Sequence, residues 1–129
     1  MKCALRAPKV FSWAAGLSSG ADAEELFKNA DLGGKQYWTD VFGPEAEFNG
    51  SFNDLFAAAE ELKKSKLPKP HLYMWCGTED FLYEQNVKMR DHLKKLNYDL
   101  LYEESSGNHA WKYWDAKIMG ALDYLLEKR

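Results

Sequence analysis

Three residue types in this 129-residue chain could together activate an oxygen nucleophile: a carboxylate, an imidazole and a hydroxyl. Asp80 follows the apolar run Leu72 to Cys76 through Gly77-Thr78-Glu79, and His109 follows Asp99 to Glu103 through Ser105-Ser106-Gly107-Asn108. Both fall where a strand gives way to a helix, the carboxyl end at which open α/β sheets collect ligand-binding and catalytic groups. A carboxylate bound to the imidazole would fix its tautomer and stabilise its charged form, the supporting half of a Ser-His-Asp triad. The plainer alternative is that Asp80 caps the following helix and His109 merely starts the last one. Ser18, in Gly16-Leu17-Ser18-Ser19-Gly20, matches Gly-x-Ser-x-Gly in a strand-turn-helix setting and in the order Ser, Asp, His. Small residues in ordinary βα turns satisfy the same pattern by chance. Cys76 is a weaker nucleophile, because a central strand position keeps its sulfur buried and neutral. His71 and His92 suit surface or packing roles. No cluster of His, Cys and acidic residues has metal-ligand spacing, so neither a metal nor another cofactor is expected.

The elements that must position these groups are legible as strands alternating with helices, hence an α/β fold with a parallel sheet. Three strands are expected near 10–15, 71–76 and 99–104, the middle one buried on both faces because its apolar run is unbroken. Residues 2 to 7 read as the end of a helix stopped by Pro8. Asp22 caps a short helix over Ala23 to Asn29, and Asn53 or Ser51 caps one from Asn53 to Lys64 with Leu55, Ala58, Ala59 and Leu62 inward. A third runs from Tyr83 to Leu96, with Asn97 as its stop, and a fourth from Trp111 to the end, where Trp111, Trp114, Ile118, Leu122 and Leu125 recur every three or four residues. The stretch from Asp31 to Ser51, rich in glycine and aromatics, reads as an irregular excursion with one helical turn at Tyr37 to Phe42.

A hydrophobic content of 46% with five Trp describes one globular unit, residues 1–129, that buries about two-thirds of its unfolded surface. A formal net charge of −3 with mixed signs provides no field for nucleic acid or an anionic membrane. The two cysteines, Cys3 and Cys76, are too far apart in kind and place for a disulfide framework. No apolar run approaches a membrane span and the start has no signal-peptide core, so a cytoplasmic location is expected.

The segments Gly77-Thr78-Glu79-Asp80-Phe81-Leu82-Tyr83, Gly107-Asn108-His109-Ala110-Trp111 and Tyr113-Trp114-Asp115 resemble the C-terminal part of the α/β-hydrolase esterase family that includes tributyrin esterases, esterase D and S-formylglutathione hydrolases. The resemblance covers Lys2 to the end, with the stretch from Gly33 to Ser51 the least similar. It implies that Asp80 is the triad acid and His109 the triad base. Ala110 departs from it, since relatives often carry an acidic residue after the histidine. Ala4-Leu5-Arg6-Ala7-Pro8-Lys9-Val10-Phe11 resembles the segment after the family's nucleophile elbow, which implies an elbow and both oxyanion-hole donors upstream of Met1. On that register the 129 residues form a single partial hydrolase domain, and Gly16 to Gly20 is only the turn after the next strand.

The expectation is therefore a carboxylic-ester hydrolase half that carries Asp80 and His109 and is nearly inactive alone, its partner being a small-molecule ester once the missing half completes it. Phe81 and Trp111 flank the pair and would border a substrate cleft, or else belong to the core. One rival is a minimal hydrolase using Ser18, with Tyr37 to Phe42 as an additional strand between those of Ser18 and Asp80. Another is a non-catalytic binding or assembly module, because an exposed sheet edge invites a homo-oligomer or domain swap.

Overall fold

Leu72, Tyr73, Met74, Trp75 and Cys76 are all completely buried, and their alternation sets up the molecule. The computed structural model describes residues 1–28 and 33–127. In chain order the elements are α1 (Lys2–Arg6), β1 (Trp13–Leu17), α2 (Ala23–Lys28), α3 (Gly34–Phe42), a 3₁₀ turn (Glu45–Glu47), α4 (Leu55–Lys64), β2 (His71–Gly77), α5 (Tyr83–Lys95), β3 (Leu100–Ser105) and α6 (Trp111–Glu127). The described strands form a parallel sheet in the order β1-β2-β3, with Ala15 opposite Tyr73 and Tyr73 opposite Leu101.

Because successive strand side chains point to opposite faces, β2 feeds two cores. Leu72 and Met74 pack with Leu62 of α4 and Met89 and Leu93 of α5. Tyr73 and Trp75 pack with Ala121 and Leu125 of α6. A third cluster joins α2 to the following excursion through Leu26, Phe27, Phe48 and Leu82, with Trp38 and Phe42 against it.

Several expected boundaries move, each for a physical reason. The first strand begins at Trp13 rather than Val10, because the Val10 and Phe11 amides both donate to Ala7 O, at 2.9 and 3.0 Å, and wind the chain into a turn after Pro8. Val10 is accordingly 74% exposed. The α4 cap is Asp54, neither Asn53 nor Ser51: its carboxylate accepts from Phe56 N at 2.9 Å and Ala57 N at 3.1 Å. Asn53 is occupied elsewhere: its Oδ1 accepts from Lys2 Nζ and its Nδ2 donates to Phe42 O at 3.3 Å. The short helix after Asp22 ends its described part at Lys28, and Asn29 and Asp31 lie outside the described residues, as does the end of the chain beyond 127. Asn97 does stop α5, in the left-handed region at φ 55°.

The largest correction concerns Tyr37 to Phe42. These residues belong to a nine-residue helix, α3, and not to an additional strand. Gln36 Nε2 donates to Asp40 Oδ1 at 2.9 Å across one turn, and the Trp38 and Phe42 rings, four residues apart, stack at 5.5 Å. β1 pairs directly with β2, so no strand separates those that end near Ser18 and Asp80.

Candidate active site

Two loops at the carboxyl end of the sheet are fastened to each other before either side chain is placed. Thr78 N donates to Ser105 O and Glu79 N to Gly107 O, both at 3.0 Å, which continues the β2–β3 ladder past the strands. Gly77 permits this approach: a Cβ built there would lie 2.1 Å from Gly107 O, so any side chain would push the loops apart. Glu79 closes the clamp, accepting from Gly107 N at 2.5 Å and from Ser106 Oγ at 3.4 Å. The Gly107 hydrogen bond, aided by Thr78, holds the Glu79 carboxyl below its ordinary value.

On this platform Asp80 does two things at once. Its Oδ1 accepts from Leu82 N at 2.9 Å, tightening the turn into α5, and its two oxygens lie 3.1 and 3.3 Å from His109 Nδ1. The pairing alternative is realised and the capping one is not, because the N-cap of α5 is Leu82 and takes no side-chain cap bond. The Asp80 carboxylate is wholly buried, while the His109 side chain remains 34% exposed. A carboxylate offers only lone pairs, so the shared hydrogen belongs to Nδ1 and the lone pair of the neutral ring falls on Nε2. The His109 ring is walled by Phe81, with centroids 4.6 Å apart, and by Trp114, edge-on at 4.8 Å.

Ser18 stands at the end of β1 with φ 50°. Its N–H donates to Trp75 O at 2.8 Å, and its Oγ accepts the Trp114 indole N–H at 3.0 Å. Ser19 to Asp22 intervene before α2, so no helix begins against Ser18 as one does at a nucleophile elbow. Cys76 is buried and its thiol is pushed up to about 12, by burial first and by the nearby Asp80 charge second. His71 lies at the opposite end of β2, its Nδ1 2.7 Å from Asp99 Oδ2, and His92 Nε2 lies 3.3 Å from Phe56 O, so neither approaches Asp80. Among the described residues no group of three or more His, Cys, Asp and Glu side chains could hold a metal, and no helix is long and apolar enough to cross a membrane.

A cavity of about 460 Å³ opens beside the pair, lined in part by Ser18, Tyr37, Trp38, Phe81, Leu82 and His109. A second, of about 300 Å³, is bounded by Leu17, Ser18, His109, Trp111 and Trp114. Phe81 and Trp111 therefore each border one hollow and remain exposed, at 57% and 75%. Leu82 is core as well as lining. Sequence reasoning missed the Glu79 clamp and the Gly77–Gly107 approach; of the aromatics in the excursion that could line a pocket or pack it down, Tyr37 and Trp38 line the cavity. The one available signal was the pairing of the two glycines, each just after a strand.

No family model matches the chain. An acetyl esterase of Caldicellulosiruptor saccharolyticus is 36% identical over 89 residues, which are 69% of this chain and 34% of that protein. The crystal structure of S-formylglutathione hydrolase from Staphylococcus aureus superposes with a TM-score of 0.82 at 27% identity, covering 96% of this chain and 48% of that one. A substrate-bound fluorophosphonate-binding serine hydrolase of Staphylococcus aureus gives 0.83 with the same identity and coverage. A ferulic acid esterase shares the fold, with a TM-score of 0.68 at 15% identity. The chain thus spans about a third of the length of its curated relative and about half that of the solved neighbours. With three parallel strands and flanking helices matching half of such enzymes, the chain has part of the α/β-hydrolase fold and is similar to the C-terminal part of esterase-family α/β-hydrolases.

Proposed function

We propose that the chain is the acid–base half of a carboxylic-ester hydrolase. In this reading His109 is the general base that takes the proton of a serine nucleophile and returns it to the leaving alcohol, and Asp80 holds the ring and steadies its charged form. The observation that carries it is the bond from a buried carboxylate to the Nδ1 of a half-exposed imidazole beside an aromatic-lined cavity. The nucleophile and oxyanion donors come from a segment on the open side of β1, whose far edge has no strand partner among the described residues. Without them the pair has nothing to activate, and the largest catalytic contributions are absent.

Turnover of a short-chain p-nitrophenyl ester tests this. The 129-residue chain alone should show none above background, and the chain extended by an upstream segment containing Gly-x-Ser-x-Gly should show turnover that falls by at least about a thousandfold in His109→Ala. Activity of the chain alone that disappears in Ser18→Ala would overturn the proposal in favour of Ser18 as nucleophile.

A second reading, an assembly module, is favoured by the outer face of α6, where Ile118, Met119, Leu122 and Leu126 are exposed beside the β1 edge. It expects a homodimer or domain swap. A monodisperse monomer by light scattering at high concentration, with a cooperative melt, would count against it.

A further inference from the structure

Asp80 grips only one nitrogen of His109, and a single grip leaves the imidazole free to swing about its Cβ–Cγ bond, where the torsional wells are broad. Contact with the ring's face and edge must stop that swing. Phe81 supplies one wall, inclined by 42°, but it is largely exposed and has no polar atom to anchor it. Trp114 supplies the other, at 85° to the imidazole, and its indole N–H donates to Ser18 Oγ across 96 residues of chain. Ser18 is itself immobilised. It is almost fully buried, and its N–H is held by Trp75 O at 2.8 Å.

We infer that Ser18 is a positioning residue: by holding the Trp114 indole it fixes the plane of His109, so that Nδ1 stays on Asp80 and Nε2 is kept for the cavity. The inference rests on the acid–base reading of the pair. It also gives the one Gly-x-Ser-x-Gly of the chain a role other than nucleophile, since Ser18 Oγ already accepts the Trp114 indole N–H. Taking that oxygen for attack on a carbonyl would strand the part-buried indole N–H.

The test is NMR of the 129-residue chain with ¹⁵N-labelled imidazole and indole, comparing wild type, Ser18→Ala and Trp114→Phe. Wild type should show His109 as the Nδ1–H tautomer with a slowly exchanging Nδ1 proton. Ser18→Ala should shift the Trp114 indole proton and mix the two His109 tautomers, and Trp114→Phe, which keeps a ring but removes the N–H, should reproduce the His109 change. In the extended, active chain Ser18→Ala should lower kcat by about tenfold with KM unchanged, the signature of a displaced base. An unaltered His109 tautomer in both variants overturns the inference, as does fluorophosphonate labelling of Ser18. Should Ser18→Ala fail to fold, Trp114→Phe reads the same link from its other end. The two readings fail separately: an extended chain without turnover in which Ser18 still governs the His109 tautomer refutes the esterase reading alone.

Discussion

The two flanks of the sheet are finished to different degrees. On one, α4 and α5 cover β2 with Ala58, Ala59, Leu62, Met89 and Leu93 inside and charged residues outside. Even the polar residues of α5 that turn inward have work: Asn86 Nδ2 donates to Ser19 O at 2.9 Å and Leu82 O at 2.8 Å, and Gln85 Oε1 accepts from Asp22 N at 3.2 Å. On the other flank α6 buries Ala121 and Leu125 against Tyr73 and Trp75, yet its outer face exposes Ile118, Met119, Leu122 and Leu126 among Lys112, Asp115, Asp123 and Glu127. Exposed apolar side chains gathered on one face mark a contact surface. The first flank is a plain solvent face, whereas the second carries an uncovered apolar patch.

That contrast can be broken or sharpened by measurement. Leu93→Ala, deep in the finished flank, should cost about 2–5 kcal/mol in denaturant unfolding, because it removes a buried side chain from a packed cluster. Asp54→Ala, which strips the α4 cap, should cost about 1 kcal/mol in the same assay. A pH-dependent effect appears at alkaline pH. Burial raises Tyr98 from 10.0 to about 12, so the stability gained by keeping its phenol neutral is complete below about pH 10 and is lost as pH rises towards about 12. Tyr98→Phe, although it gives up the bond to Ala59 O, should lose less stability across that window than wild type. Smallest of all, Met119→Lys on the open flank should change the melting of the chain by no more than about 0.5 kcal/mol equivalent, since Met119 is 61% exposed. A large loss there would mean that both flanks are finished and the contrast is false.

How much of this was readable in advance follows the same division. The strand β2 and helices α4 and α5 declare themselves because burial on a regular face imposes a period on the sequence; α6 was legible as a helix, but Trp111, Ile118 and Leu122 of its expected stripe are exposed and Ala121 and Leu125 are what it buries. Asp80 and His109 were legible for a related reason, each sitting at the carboxyl end of a recognisable strand. Val10 and Phe11 misled because apolarity marks burial or pairing without distinguishing either from an exposed turn, and a proline-led turn claimed their amides. The helix α3 was understated because glycines at both of its ends resemble loop punctuation, when Gly33 and Gly43 in fact supply the positive φ at its two boundaries. Asp54 and Asn53 are equally good cap residues on paper, and tertiary bonds separate them: Asn53 Oδ1 accepts from Lys2 and its Nδ2 reaches Phe42 O. The clamp of Glu79 on Gly107 joins residues 28 apart that share no periodicity, so nothing local announces it. Trp114 looked like one more core aromatic of a helix stripe, and its indole N–H finds Ser18 only through the tertiary fold.

The near-contact of Gly77 with Gly107 bears on how this site could be redesigned. Because backbone meets backbone there, the loops carrying Asp80 and His109 behave as one rigid tile with no slack for inserted bulk. If the proposed esterase reading holds, altered substrate preference would be sought across the cavity, at Tyr37 and Trp38 of α3, where a library of smaller residues could enlarge the hollow without disturbing the tile.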